Sequence, residues 1–106
     1  MRISATRLAA MATVAVAAKP SKVYVVTGAT DGIGRLTAQK LGADGVHVAV
    51  HGRTQSKVDA VFAEVEQSGG SARGFVADLS SMSDVRRLGA EILGAYDSID
   101  GLLNNA

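Results

Sequence analysis

The stretch Lys22-Val23-Tyr24-Val25-Val26-Thr27-Gly28-Ala29-Thr30-Asp31-Gly32-Ile33-Gly34 decides how this chain folds. A short apolar run, too short for a helix, gives way to three spaced glycines, and a helical pattern follows. A buried strand that breaks into such a loop and then a helix is a way of holding a nucleotide pyrophosphate. Gly28 permits a tight turn off the strand. Gly32 has no Cβ and lets backbone approach a phosphate. Gly34 lets the helix pack closely, and the helix N-terminus offers free N–H groups to an anion. Thr27 is placed to position the loop through its hydroxyl. Ile33 is placed to add apolar contact and a backbone N–H, with Thr30 and Asp31 in the loop itself.

Outward from that loop the chain alternates strand and helix. Val23 to Thr27 reads as the first strand and Ile33 to Leu41 as a helix, with Ile33, Leu36, Thr37 and Lys40 at helical spacing. Gly42 to Gly45 ends it, and Val46 to Val50 reads as the second strand. Thr54 is a plausible N-cap for a helix carrying Val58, Val61, Phe62 and Val65 at i, i+3, i+4 and i+7. Ser68-Gly69-Gly70-Ser71 closes that helix, and Ala72 to Ala77 is the third strand. A third helix carries Val85, Leu88, Ile92 and Leu93 on one face, with Ser81 and Asp84 as a capping box at its start. A fourth strand begins at Gly101 to Leu103.

Strands apolar on both faces and joined by helices predict an α/β fold with a parallel sheet covered on both sides. Right-handed crossovers put the first two helices on one face and the third on the other. The expected order is 3-2-1-4, the first half of a Rossmann-type doubly wound sheet, with a ligand crevice between strands one and four above Gly28 and Asn104. The fourth strand is then an open edge, so the chain alone is expected to be marginal, oligomeric or prone to aggregation.

The glycine spacing is Gly-x-x-x-Gly-x-Gly rather than Gly-x-Gly-x-x-Gly. Thr27 to Gly34 resembles the Thr-Gly-x-x-x-Gly-x-Gly cofactor signature of the short-chain dehydrogenase/reductase family. Asp78-Leu79-Ser80 resembles that family's element after the third strand, near the adenine ring. Leu102-Leu103-Asn104-Asn105-Ala106 resembles its Asn-Asn-Ala-Gly element after the fourth. The resemblance covers Ser21 to Ala106. It implies that Asp78 bonds the adenine amino group beside the Leu79 backbone; otherwise Asp78 ends a strand and caps nearby N–H groups. It implies that Asn104 and Asn105 tie the central sheet together and line the cofactor, with Ala106 next to them; a polar pair is also ordinary turn chemistry.

The end of strand two chooses between cofactors. An acidic residue about 20 residues past the loop binds the ribose 2′-OH of NAD. Here the stretch is His51-Gly52-Arg53-Thr54, with no carboxylate at Gly52 to repel a 2′-phosphate. The Arg53 guanidinium suits phosphate and Thr54 offers a hydroxyl, which favours NADP(H) over NAD(H). Asp31 disagrees, because NADP-dependent relatives often carry a basic residue there. Arg53 is otherwise a solvated loop cation.

The family's catalytic set is a Ser and a Tyr-x-x-x-Lys. Tyr24 is followed four residues on by Gly28, and Tyr96 by Asp100, so neither tyrosine matches. The chain is therefore expected to be the N-terminal, cofactor-binding half of a reductase acting on a small alcohol or carbonyl substrate. The whole sequence is similar to retinol dehydrogenase-like and related reductase members, with substrate choice lying beyond Ala106. A non-catalytic NADP(H)-binding module and a truncated, inactive gene product are the alternatives.

Composition narrows the field further. The 106 residues are enough for one domain, and 47% apolar content is enough for a core. Only 4% are aromatic, so that core should be Val, Leu, Ile and Ala. A net charge of +1 gives no reason to expect nucleic acid or an acidic membrane as partner. The absence of cysteine removes disulfides, thiolate metal sites and a Cys nucleophile. His47 and His51 have the i, i+4 spacing of a helical metal pair, but on a strand they would stand about 13 Å apart, too far for one ion. Met1 to Pro20 differs from the rest: Arg2, Arg7 and Lys19, no acid, and the 11-residue apolar stretch Leu8 to Ala18, too short to span a bilayer. With Ala15-Val16-Ala17 as a small-residue cleavage site, this segment is expected to target the protein to the secretory route or an organelle; otherwise it is a plain extension of a cytoplasmic protein. The fold is assigned to residues 21–106.

Overall fold

The computed structural model describes residues 22–106. The targeting reading of residues 1–20 lies outside the described residues. The apolar runs become four strands: β1 (Val23–Thr27), β2 (His47–Gly52), β3 (Ser71–Val76) and β4 (Gly101–Asn104). Between them lie α1 (Gly32–Ala43), α2 (Gln55–Gln67) and α3 (Met82–Ala95). All neighbouring strands are parallel and their order is β3-β2-β1-β4, as expected for half of a doubly wound sheet.

Alternation along the strands builds two apolar layers. Val26, Val48 and Val50 face one side, where they pack with Ala38 of α1 and Val58, Val61 and Val65 of α2. Val25, Ala49 and Phe75 face the other, against Leu88 of α3, with Ile92 and Tyr96 beside it. Two helices cover one face and one covers the other. The largest fully buried side chains are all valines. Each such side chain contributes about 1.5 kcal/mol or more by leaving water.

Four local expectations need correction. The buried positions of α1 are Gly34, Ala38 and Gly42, while Ile33 and Leu36 are exposed. The helix packs through a stripe of small residues because its neighbours stand too close for larger ones. A Cβ on Gly42 would lie 2.6 Å from Ser68 Oγ and 2.9 Å from Val65 Cγ1. On α3, Leu93 is 77% exposed, and Ile92, Ala95 and Tyr96 turn toward the sheet instead. Thr54 stands at the N-cap of α2 but its side chain makes no capping bond. The capping box of α3 is half formed. Ser81 accepts from the Asp84 N–H at 3.3 Å, but the Asp84 carboxylate takes the Asp78 N–H at 2.8 Å rather than reaching back to Ser81.

Salt bridges and hydrogen bonds fasten the elements. Glu64 on α2 receives Arg35 Nε (3.0 Å) and Gln39 Nε2 (2.9 Å) from α1 and also pairs with the second guanidinium nitrogen of Arg35. These contacts hold the Glu64 carboxyl below the usual carboxylate range. At the amino end of the sheet, His47 bonds Ser71 Oγ and Tyr96 OH, each at 2.7 Å, joining β2, β3 and the end of α3. Burial, with Arg73 nearby, lowers the His47 pKa.

Candidate functional site

Strand β1 ends at Thr27, and the backbone turns sharply at Gly28 (φ +61°) and again at Gly32 (φ +55°). An L side chain is strained at both angles, which explains glycine there. The Thr27 hydroxyl accepts from the N–H groups of Asn105 (3.0 Å) and Ala106 (3.3 Å). It donates toward Asn104 Oδ1 (3.2 Å) or the Leu103 carbonyl (3.3 Å). Asn105 Nδ2 donates to the Gly28 carbonyl at 3.0 Å. Thr27, Asn104 and Asn105 therefore bind the end of β4 to the glycine loop. A Cβ on Gly34 would overlap the Gly28 carbonyl oxygen and lie 2.6 Å from Asn105 Nδ2. Helix α1 can start there only because Gly34 has no side chain.

Above the carboxyl ends of the strands lies a cleft of about 380 Å³, its wall including Gly28, Thr30, Asp31, Arg53, Asp78, Leu79 and Ala106. Seven expected site residues thus come together. Thr27, Gly32, Ile33, Gly34, Thr54, Asn104 and Asn105 do not line it. The cleft reaches sideways over β2 and β3 rather than standing over Asn104. His51, Gly52 and Ser80 complete the wall and were not among the expected residues. The i, i+4 spacing of His51 with His47 drew attention to metal chemistry, whereas its ring is occupied by the loops: Gly28 N–H donates to Nδ1 at 3.0 Å and Nε2 donates to the Ala77 carbonyl at 2.9 Å.

The charges of the cleft are mixed. The first turn of α1 contains no acidic residue, so nothing within the helix neutralises its N-terminal N–H groups. Lys57 on α2 stands 3.8 Å from Asp31 and sets a cation against the one acid that disagreed with a phosphate site. Both groups are exposed, so the pairing is weak. Asp78 Oδ1 accepts from the Ser80 hydroxyl (2.7 Å) and backbone N–H (3.0 Å). Those bonds, with a smaller contribution from Arg53, hold the Asp78 carboxyl below its ordinary pKa. A side chain on Gly52 would meet Thr30 Cγ2 at 2.5 Å and Val58 Cγ2 at 3.0 Å. A carboxylate at the end of β2 therefore has no room without movement of Thr30. Among the described residues, no helix is long and apolar enough to cross a membrane.

A parallel 3-2-1-4 sheet with a glycine loop under a helix N-terminus defines the class of nucleotide-binding Rossmann folds. The chain belongs to the short chain dehydrogenase family, an oxidoreductase family whose sequence model matches residues 22–106. It is 41% identical over 85 residues to a fatty acyl-CoA reductase of Acinetobacter baylyi, a match covering 80% of this chain and 29% of that protein. It is 40% identical over 86 residues to dehydrogenase/reductase SDR family member 4 of Oryctolagus cuniculus, covering 81% of this chain and 33% of that one. Among solved structures, a metagenomic short-chain oxidoreductase in complex with NADP superimposes with a TM-score of 0.75 at 39% identity, covering 80% of this chain and 38% of that one. An NADH-dependent reductase, A1-R′, complexed with NAD superimposes with a TM-score of 0.73 at 30% identity, covering 81% and 36%. The chain spans about a third of the length of the curated relatives it matches.

Proposed function

We propose that this chain is the NADP(H)-binding portion of a reductase whose catalytic Ser and Tyr-x-x-x-Lys lie outside these 106 residues. The single observation that carries the reading is the end of β2. Gly52 bears no carboxylate, a side chain there would have to displace Thr30, and Arg53 lines the same cleft as the Gly28 loop. In this reading the pyrophosphate is held by the loop and by the first-turn N–H groups of Gly32, Ile33 and Gly34. Arg53 and Thr54 hold the 2′-phosphate. Asp78 and Leu79 hold the adenine, and Asn105 and Ala106 border the cofactor beyond Gly28. The free oxygen of Asp78 is Oδ2, since Oδ1 is occupied by Ser80. Bound NADP(H) supplies hydride chemistry, exchanging hydride between the nicotinamide and a small alcohol or carbonyl compound in the longer protein.

Comparison of the chain with and without cofactor tests this directly. Cooperative melting should move upward with NADPH and less with NADH, and a ketone added with NADPH should give no oxidation. Turnover by the purified chain would overturn the assignment of the catalytic groups to sequence outside it. A second reading, a non-catalytic NADP(H)-binding module, draws on the way the cleft is fastened entirely by residues of this chain. It predicts the same binding in a stable chain that needs no further sequence.

A further inference from the structure

His51 is only 2% exposed, yet both its ring nitrogens are engaged by backbone. A backbone N–H can only donate, so Nδ1 facing Gly28 must be bare. A carbonyl can only accept, so Nε2 facing Ala77 must carry the hydrogen. The surroundings therefore admit one form of the ring, the neutral one protonated at Nε2. The backbone on either side repeats the linkage. Ala29 N–H donates to the His51 carbonyl at 2.8 Å, and Ala77 N–H to the Gly52 carbonyl at 3.0 Å. One imidazole thus joins the carboxyl ends of β1, β2 and β3 at the floor of the cleft.

We propose that His51 is a positioning residue for the dinucleotide loop: its neutral ring fixes the turn at Gly28, and a proton added at Nδ1 releases that turn. A second ring proton would set N–H against N–H, and either the ring or Gly28 must move away. Gly28 is the residue whose positive φ aims the loop, and Asn105 already holds its carbonyl, so a shift there disturbs the whole cleft. The charged side chains sharing the cleft are Asp31 on the loop, Arg53 after β2 and Asp78 after β3, with Lys57 of α2 paired to Asp31. On the other side His51 pairs in register with Phe75 and shares its sheet face with the apolar cluster of Val25, Ala49, Phe75 and Leu88. The charged groups there are Arg73 of β3, over the Phe75 ring, and Arg87 of α3, which bonds the Val76 carbonyl and pairs with Asp84 and Glu91. The inference rests on the cofactor reading for its consequence, but the coupling of His51 to Gly28 belongs to the free chain.

The test has two arms. Nitrogen-15 NMR of the free chain reads the His51 ring and the Gly28 amide as the pH is lowered from about 8 to about 5.5. The expected result is a bare Nδ1 at the upper end and a Gly28 amide that moves with the midpoint of His51. A hydrogen on Nδ1 at the upper end, a His51 neutral throughout, or a Gly28 amide indifferent to its titration overturns the proposal. The second arm measures NADP+ affinity over the same range for the wild type, His51→Asn and His51→Leu. Asn keeps a non-titrating acceptor toward Gly28, and comparing variants cancels the ligand's own phosphate titration. The wild type should lose about tenfold more affinity on acidification than His51→Asn, and His51→Leu should bind weakly at every pH. Parallel profiles, or tighter binding in acid, overturn the proposal. If a substitution prevents folding, the wild-type NMR arm decides. A folded wild type that shows the coupling but binds no NADP+ at any pH overturns the cofactor reading instead and leaves the positioning role standing.

Discussion

Adding one carbon to Gly34 would drive it into the Gly28 carbonyl and the Asn105 amide. At the scale of single residues, the site depends on such exclusions as much as on contacts. Gly34→Ala should therefore abolish NADP(H) binding and lower stability, read by titration and by thermal melting. Arg53→Ala should weaken NADPH about tenfold while leaving NADH nearly unchanged, because only the 2′-phosphate gains from the guanidinium. Equal losses for both nucleotides would remove Arg53 from that role. Several of these residues could be read from the sequence. Glycine spacing announces a loop, and a missing carboxylate at Gly52 is visible in one letter. His51 could not be read, because its role comes from two backbone groups brought beside it by parallel pairing. Asp78 was legible as a strand-ending acid, but not the use of one of its oxygens by Ser80.

At the scale of elements, the strands and helices were legible because large apolar residues repeat at the periods of strand and helix. Which face of α1 is buried was not. Gly34, Ala38 and Gly42 carry no apolar signal, and their burial follows from how closely the helix approaches its neighbours. The apolar stripe of α2 was read correctly at Val58, Val61 and Val65. Val61→Ala should cost about 2 kcal/mol in denaturant unfolding, since the methyl groups lost there leave a void in the valine layer. The Arg35–Glu64 contact gives stability a pH dependence of known sign. The folded carboxyl is held below its unfolded value, so its contribution is present above the unfolded pKa and lost as the pH falls through the folded one. His47 acts at a higher pH. Its folded pKa is lowered, so stability declines as the pH falls below the ordinary imidazole value and levels off below the folded one. Melting of Glu64→Gln against wild type should show a flatter acid limb as the pH falls through the carboxylate range, and a lower stability that does not vary with pH above it.

At the scale of the whole molecule, the sheet is closed on neither side of its functional half. Among the described residues β4 pairs with β1 alone, and Leu102 on it is 66% exposed. Leu93 and Met82 on α3 are exposed as well. Parallel order and the division of the helices between faces were predictable, since right-handed connections leave few arrangements. An open strand edge with large apolar residues favours association, so the chain should form concentration-dependent oligomers in light scattering, and Leu102→Lys should reduce them. The central claim is that these residues form a site for NADP(H) in preference to NAD(H). Calorimetric titration of the purified chain with NADP+ and with NAD+ tests it most directly. The account predicts saturable binding of NADP+ at least about tenfold tighter than of NAD+. Equal or tighter binding of NAD+, or no binding of either by a folded chain, would contradict it.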